Sequence, residues 1–448
     1  MWLPMKPIVR FAPSPTGYLH AGNIRMAIIN WLFARKLGGK FILRMDDTDT
    51  ERSLPEYEAA IKQDLTWLGL EWDDYFRQQD RFARYEEAKQ QLIASGRLYP
   101  CYETSEEIEL KRKMLASRGK PPIYDRAALT LTAEQKAAYE AEGRKPHYRF
   151  LLEDKVIEWN DLVRGPQRIN PANNSDPVLV RADGVPLYTL CSTVDDADYG
   201  ITHVLRGEDH VSNTAVQSQI FEALGFPVPE FGHNALLQMA DGKLSKRKGG
   251  GDIKSLREAG YEPMAINSLL ARLGSSDPIE TFWTMDALIA QFDISKFGRA
   301  SAMYDENELA RLNEKLIAQM DFAEAQPRLT AIGITADETF WNGIRGNLPM
   351  FADAKTWWEI LHQPIAPQAE DVDFTIEAAK LLPTGTWNEE SYKAWIEAVK
   401  TATNRKGKDL FMPLRRALTG REDGPELKDV FRLIEQQKAQ ARLMGVAA

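Results

Sequence analysis

A strand, a turn-rich loop, a helix and a second strand follow one another in the first 50 residues. Residues 8–12 are β-prone and end in the turn sequence Pro-Ser-Pro-Thr-Gly at 13–17. Apolar side chains recur at helical spacing over 22–36, and residues 41–45 are β-prone again. Two strands joined through a helix pair in parallel, and ligands bind beyond their carboxyl ends. The pattern therefore predicts a parallel α/β sheet with its site beside the Pro-rich loop and the acidic run at 46–49.

The composition predicts a globular protein with more than one domain. The chain has 448 residues, of which 44% are hydrophobic and 27% charged, and a domain takes roughly 100–200 residues. It contains no apolar run of about 18 residues and no secretory signal pattern, so we expect no membrane span and no secretion. With only Cys101 and Cys191 present, a disulfide framework is excluded, and we expect a cytoplasmic location.

The charge is unevenly distributed along the chain. The net charge is −9, yet residues 401–448 hold ten Lys and Arg against six Asp and Glu. Such a basic segment suits either a solvated helical surface or contact with a large anionic partner. The composition leaves both readings open.

The strand and helix patterns divide the chain into three parts. Strand patterns occur up to residue 100 and from about 180, where residues 178–190 resemble a hairpin around Asp183-Gly184. Residues 101–147 are charged and poor in strand signals and read as an inserted helical segment, and strand patterns vanish after about 315. We therefore predict one domain formed by residues 1–100 and 180–314, an insertion at 101–179 and an all-helical domain at 315–448.

Two short elements carry candidate chemistry. His20 and Gly22 lie where the first loop meets the first helix, and exposed amides at a helix start attract phosphate. The segment 243–248 holds four cations and precedes three glycines, which suits a loop that closes over a triphosphate. Taken singly, each is more often a loop histidine or an exposed basic turn. The sequence has neither a P-loop nor a Gly-x-Gly-x-x-Gly after the first strand.

Together with their flanks, these elements resemble a known family. The two signatures, about 225 residues apart, are similar to those of class I aminoacyl-tRNA synthetases, and the flanks resemble glutamyl-tRNA synthetases in particular. The similar segments are Arg-Phe-Ala-Pro-Ser-Pro-Thr-Gly-Tyr-Leu-His at 10–20, Arg-Met-Asp-Asp-Thr-Asp at 44–49, Val-Leu-Arg-Gly-Glu-Asp-His at 204–210, Asp-Gly-Lys-Leu-Ser-Lys-Arg at 241–247, and the segment 408–421. The resemblance implies a Rossmann-like nucleotide-binding α/β domain with an insertion for the tRNA acceptor stem, followed by an all-α anticodon-binding domain.

The resemblance also implies roles for individual residues. It implies that His20 and Lys246 are catalytic and bracket the ATP phosphates. The residues that it implies for ATP binding are His20, Gly22, Glu208, Leu236, Lys243 and Lys246. Those that it implies for glutamate binding are Arg10, Ala12, Ser14, Asp46, Tyr188 and Arg206. The implied partners are L-glutamate, ATP with Mg²⁺ held mainly by the triphosphate, and tRNA(Glu), and the family suggests a monomer.

Elementary chemistry agrees with a carboxylate pocket built on arginine. A buried carboxylate needs a cationic partner, and the planar guanidinium fork fits it. The alternative for Arg10 and Arg206 is an internal ion pair with the acidic cluster. Asp46 departs from the glutamate usual in the family, which leaves its role open. A lone Cys101 in the insertion cannot form a four-ligand zinc site, so we expect no zinc.

Other activities remain as alternatives. A glutamine-specific synthetase would be expected to show β-barrel periodicity after residue 315. A truncated paralogue that glutamylates a modified base would lack that region, and a nucleotidyltransferase would not need it. A tRNA-binding protein without activity would not need the substrate residues. The sequence leaves open whether tRNA(Gln) is also charged with glutamate.

Overall fold

The computed structural model describes most of the chain. The described ranges are 6–171, 174–239, 252–366 and 371–448. The chain forms two compact units, the first comprising residues 1–257 and 266–305 and the second residues 258–265 and 306–448. The predicted subdivision of the first unit into a catalytic domain and an insertion stays a prediction.

The first unit contains the strands. In chain order they are β1 (Ile8–Phe11), β2 (Lys40–Met45), β3 (Asp74–Arg77), β4 (Leu98–Cys101), β5 (His147–Phe150), β6 (Ile157–Asp161), β7 (Gly165–Ile169), β8 (Val178–Val180), β9 (His203–Gly207), β10 (Glu230–Asn234), β11 (Leu237–Met239) and β12 (Ala302–Tyr304). The helices up to residue 291 are α1 (Ala21–Lys36), α2 (Pro55–Trp67), α3 (Phe82–Ala94), α4 (Ser105–Ser117), α5 (Ala133–Ala141), α6 (Tyr188–Asp198), α7 (Val211–Leu224), α8 (Ile253–Glu258), α9 (Pro263–Leu270) and α10 (Met285–Gln291).

The predicted strand–helix–strand unit at the N-terminus is confirmed. Strands β1, β2 and β3 pair in parallel, and α1 connects β1 to β2. Strands β9 and β10 form a second parallel pair. The backbone amide of Thr202 donates to the Ile8 carbonyl (2.9 Å), which joins the start of β9 to the start of β1. The carboxyl ends of β1, β2, β9 and β10 therefore meet at one edge.

The segment between β4 and β8 combines helices with antiparallel strands. Strands β4, β5 and β8 form one sheet, and β6 pairs with β7 in a hairpin. Helices α4 and α5 both begin with capping boxes, formed by Thr104 with Glu107 and by Thr132 with Gln135. The prediction of helices in this segment is confirmed.

The predicted hairpin at 178–190 is wrong in its second half. The Asp183-Gly184 turn forms, and the Arg181 amide donates to the Val185 carbonyl (2.9 Å). Beyond the turn, one bridge forms between Val180 and Pro186, and the Leu187 amide donates to the Leu179 carbonyl (2.8 Å). Pairing ends there because α6 begins at the next residue. From Tyr188 the chain is helical, since Leu190, Cys191 and Val194 bury one face of α6 in a core with α3 and α7.

The second unit is helical in its described part, as predicted. Its helices after residue 305 are α11 (Glu306–Gln319), α12 (Phe322–Ala331), α13 (Glu338–Ile344), α14 (Ala354–His362), α15 (Val372–Lys380), α16 (Glu389–Thr403), α17 (Lys408–Thr419), α18 (Leu427–Leu433) and α19 (Gln436–Leu443). Trp341, Trp357 and Trp395 are buried in its core, and the indole N–H of Trp395 donates to the Ala378 carbonyl (2.9 Å). No helix in the described ranges is long and apolar enough to cross a membrane.

Candidate active site

A cavity of about 830 Å³ opens at the edge where the parallel strands end. It is lined by the loop after β1, the start of α1 and the carboxyl ends of β2 and β9. Nine of the predicted site residues line it: Arg10, Ala12, Ser14, His20, Gly22, Asp46, Tyr188, Arg206 and Leu236. Residues that are far apart in the sequence are thus brought together around one space large enough for a nucleotide and a small acid.

His20 forms the N-terminal cap of α1. Its Nδ1 accepts the Gly22 amide (3.1 Å), and its own amide donates to the Asn23 side chain (3.4 Å). Although the side chain is exposed at the cavity, surrounding protein lowers the pKa of the imidazole below its usual 6.5 by desolvation. The ring is therefore neutral near pH 7, and because Nδ1 is an acceptor, the proton lies on Nε2. His20 thus offers a neutral N–H donor at the start of α1, where its own Nδ1 already accepts the Gly22 amide.

Gly22 leaves room for the close approach of this ring. A Cβ at residue 22 would lie 3.0 Å from Cε1 of His20. A larger residue would push the imidazole by a few tenths of an ångström, so the His-x-Gly spacing suits the observed position of the donor.

Arg206 is a buried cation whose described partners are all neutral. It is 7% exposed, and burial lowers the pKa of its guanidinium. Its N–H groups donate to the Gln217 amide oxygen (2.7 Å), the Thr214 hydroxyl (2.7 Å), His233 Nε2 (3.1 Å), the His210 carbonyl (3.3 Å) and the Tyr188 hydroxyl (3.4 Å). Among the described residues no carboxylate forms a salt bridge with it. A buried charge without a counter-charge is costly, so this position suits an anionic ligand.

Arg10 forms an internal ion pair with the acidic cluster, which the sequence analysis gave as the alternative to ligand binding. Its Nε donates to Asp196 (2.9 Å), and Arg44 NH1 donates to the same carboxylate oxygen (2.8 Å). Arg44 also pairs with Asp46, and the Asp46 carboxyl is so buried that its pKa rises to about 6 despite that pair. Arg10 lines the cavity while sharing its charge with the acidic cluster, unlike Arg206.

The Glu208 side chain contacts the backbone of the cavity wall. One of its oxygens pairs with Arg164 (2.6 Å), and the other accepts the Leu236 amide (3.2 Å). Glu208 is not among the residues lining the described cavity, whereas the half-exposed Leu236 side chain is. The contact of Glu208 with ATP stays a prediction.

The two predicted lysines, Lys243 and Lys246, lie outside the described residues. The chain before them lines the cavity at Leu237. After them, Asp252 forms a bridge with His20, and the Ile253 amide donates to the Leu19 carbonyl (2.9 Å). The described ends on both sides of this segment are thus next to the cavity.

Several site residues were not predicted from the sequence. Arg44, Asp209 and His210 line the cavity, and so does Arg25 of α1, which donates to the Ala235 carbonyl (2.7 Å). Arg25 carried a detectable signal, because it is the single charged residue between Ile24 and Ala34 in a helix that is buried along most of its length. Thr214, Gln217 and His233 surround Arg206 from other elements and gave no local signal.

The described ranges hold no cluster of three or more His, Cys, Asp or Glu side chains arranged for a metal. Cys101 is buried with the Tyr124 hydroxyl 3.7 Å from its Sγ, and burial raises the pKa of the thiol to about 12. A neutral thiol is a poor zinc ligand. The expectation of no zinc site stays a prediction.

Comparison with known proteins identifies the family. The catalytic domain of class I tRNA synthetases (E and Q) matches residues 7–311, and an anticodon binding domain matches residues 368–446. The chain is 54% identical to glutamate–tRNA ligase 2 of Methylobacterium sp. (strain 4-46), a match that covers 99% of this chain and 100% of the relative. It is also 54% identical to the glutamate–tRNA ligase of Azospirillum brasilense, with the same coverage.

A solved structure agrees with the fold. The crystal structure of a glutamate tRNA ligase from Elizabethkingia meningosepticum CCUG26117 in complex with its amino acid superimposes with a TM-score of 0.83 at 28% identity, covering 98% of each chain. The predicted fold class, an α/β catalytic domain followed by a helical anticodon-binding domain, is confirmed. The chain therefore belongs to the class I tRNA synthetases of the E and Q group.

Proposed function

We propose that the chain ligates L-glutamate to the 3′ end of tRNA(Glu) in an ATP-dependent reaction. A glutamyl-adenylate forms first with release of pyrophosphate, and transfer to the terminal ribose then releases AMP. The names of the relatives support this activity. The single observation that carries it here is Arg206, a buried guanidinium that faces the cavity and has only neutral partners among the described residues.

In this proposal the glutamate side-chain carboxylate binds Arg206. The two longest hydrogen bonds of Arg206 run to the Tyr188 hydroxyl and to the His210 carbonyl, and a bound carboxylate would replace or share these two. Arg10 lines the same cavity at the carboxyl end of β1, with its charge compensated by Asp196, and the Tyr188 hydroxyl is the neutral donor that completes the carboxylate site in this proposal. A neutral glutamine side chain would leave the buried charge uncompensated, which disfavours it strongly.

The glutamate backbone groups then lie toward Ser14 and Asp46, and the α-carboxylate attacks the α-phosphorus of ATP. The neutral His20 donates Nε2–H to a phosphate oxygen, and the positive end of the α1 dipole favours the same negative charge. Ala12, Gly22 and Leu236 form the walls around the amino acid and the nucleotide. Lys243 and Lys246 are assigned to the departing pyrophosphate by resemblance alone.

Mg²⁺ is proposed to arrive with ATP. It would neutralise charge on the triphosphate, and the triphosphate oxygens are the hard ligands that it prefers. Because the described residues hold no ready-made metal cluster, the proposal leaves the ion mainly on the nucleotide.

The second unit is proposed to bind the anticodon region of the tRNA. The match of residues 368–446 to an anticodon binding domain supports this role. We further propose a monomeric cytoplasmic enzyme, and the two free, buried cysteines are compatible with a reducing compartment.

A direct assay tests the proposal. The purified chain is mixed with ATP, Mg²⁺, labelled glutamate or glutamine, and single tRNA isoacceptors. We expect glutamate to be esterified to tRNA(Glu), and glutamine to be a poor substrate. Charging with glutamine in preference to glutamate would instead support the glutamine-specific activity of the same family. No charging with either amino acid would contradict the proposal.

A further inference from the structure

The inner edge of Arg206 is held by a pair of buried residues, His233 and Asp161. Arg206 Nε lies 3.1 Å from His233 Nε2, and His233 Nδ1 lies 2.5 Å from Asp161 Oδ2. His233 is 0% and Asp161 2% exposed. The three residues come from β9, β10 and β6, so the row exists only in the folded chain.

Asp161 is fixed by backbone amides as well as by the imidazole of His233. Its Oδ1 accepts the backbone amides of Val163 (3.1 Å), Arg164 (3.0 Å) and His233 (3.0 Å). Burial opposes ionisation, but the hydrogen bonds from His233 and the backbone outweigh it and hold the pKa of this carboxyl below its usual range. Asp161 is therefore a charged, immobile acceptor.

The chemistry of the row sets the tautomer of the imidazole. A carboxylate only accepts, so His233 carries its proton on Nδ1. Burial lowers the pKa of His233, so the ring stays neutral and its Nε2 offers a lone pair. That lone pair accepts the Nε–H of Arg206, and the Thr214 hydroxyl lies at 3.0 Å from the same nitrogen.

We propose that Asp161 and His233 are positioning residues for glutamate recognition. The neutral imidazole accepts the Nε–H of Arg206 and thereby orients the guanidinium. It also separates the Asp161 carboxylate from the guanidinium by the width of the ring. A carboxylate in direct contact would orient the fork too, as Asp196 does for Arg10, but it would neutralise the charge that the substrate needs. This inference rests on the proposed function, in which Arg206 binds the glutamate side chain.

Two substitutions at residue 233 separate positioning from mere packing. The amide of glutamine reaches the place of Nε2 and can accept from Arg206, whereas the shorter asparagine reaches only the place of Nδ1. For H233N we expect the KM for glutamate to rise about tenfold, the worth of one hydrogen bond to a charged group, while the KM for ATP stays within twofold. For H233Q we expect most of the glutamate affinity to return.

The same assay contains the outcomes that overturn the inference. Equal effects of H233N and H233Q, or a parallel rise of the KM for ATP and for glutamate, would show a general structural role. An R206A variant with an unchanged KM for glutamate would overturn the proposed function itself, and this inference with it. The two failures are therefore distinguishable.

A spectroscopic measurement on the unsubstituted protein covers the case in which the variants do not fold. The chain has six histidines, so ¹⁵N-histidine labelling gives a tractable spectrum, with His233 assigned by its loss in H233Q or H233N or by sequential backbone assignment. We expect a protonated Nδ1 and an unprotonated Nε2 at pH 7.5. A proton on Nε2 would face the Arg206 donor and would overturn the inference.

Discussion

Arg44 and Asp46 form a two-point ion pair in the wall of the cavity. Arg44 Nε donates to Oδ1 of Asp46 (2.6 Å), and NH2 donates to Oδ2 (3.1 Å). Arg44 is also bound to Asp196 (2.8 Å). One arginine thus links the acid proposed to face the substrate ammonium group with the acid that holds Arg10.

This relationship predicts a pH dependence. Burial raises the pKa of Asp46 from 3.8 to about 6, so as the pH falls through 6 the folded protein takes up this proton before the unfolded chain does. The neutral form no longer attracts an ammonium group, and kcat/KM for glutamate should decline below about pH 6. Because kcat/KM reports free-enzyme ionisation, D46N should remove this decline; a decline of the same shape in D46N would assign it elsewhere.

Loss of the Arg206 guanidinium should impair glutamate use selectively. We expect R206A to lower kcat/KM for glutamate by about a hundredfold or more, since about two charge-assisted hydrogen bonds are lost, and to leave the KM for ATP nearly unchanged. R206K keeps the positive charge but lacks the planar guanidinium, so its kcat/KM for glutamate should lie between those of R206A and the unsubstituted protein. R168A is the matched control, because Arg168 is an exposed arginine paired with Glu158. Equal losses toward ATP and glutamate would contradict a carboxylate pocket.

Two variants separate catalysis from capping at His20. The side chain of H20N can still accept the Gly22 amide but lacks the Nε2 donor, whereas H20A loses both. We expect both to slow adenylate formation by about 10²–10³-fold, as for other transition-state donors. Only H20A should also lower the melting temperature, because a helix cap is lost. The rate is followed in single-turnover experiments, and a normal rate in H20N would remove the histidine from the chemistry.

Lys246 is testable although it lies outside the described residues. K246A should slow adenylate formation by about 10²–10³-fold while the KM for tRNA changes little. K155A is the control, since Lys155 is a half-exposed lysine paired with Glu222. A K246A rate equal to that of K155A would exclude the proposed role at the pyrophosphate.

Local pattern was enough for much of the fold. The period of the apolar residues and the turn residues around them predicted β1, α1 and β2, and the absence of strand patterns predicted the helical second unit. The pattern misled at 178–190, because a short apolar run suits a strand and a helix start equally well. Packing of α6 against α3 and α7 makes the chain helical from Tyr188 onward and thereby sets the position of Tyr188.

By itself, the sequence predicted that Arg10 and Arg206 lie in strands, and the family resemblance assigned both to one glutamate site. It did not distinguish their states of charge, because these depend on partners from other elements. Arg10 meets Asp196, 186 residues away, and His233 meets Asp161, 72 residues away. Side chains at such separations come together only when strands and helices pack, so the tertiary structure alone decided that Arg10 pairs with a carboxylate while Arg206 has only neutral partners among the described residues.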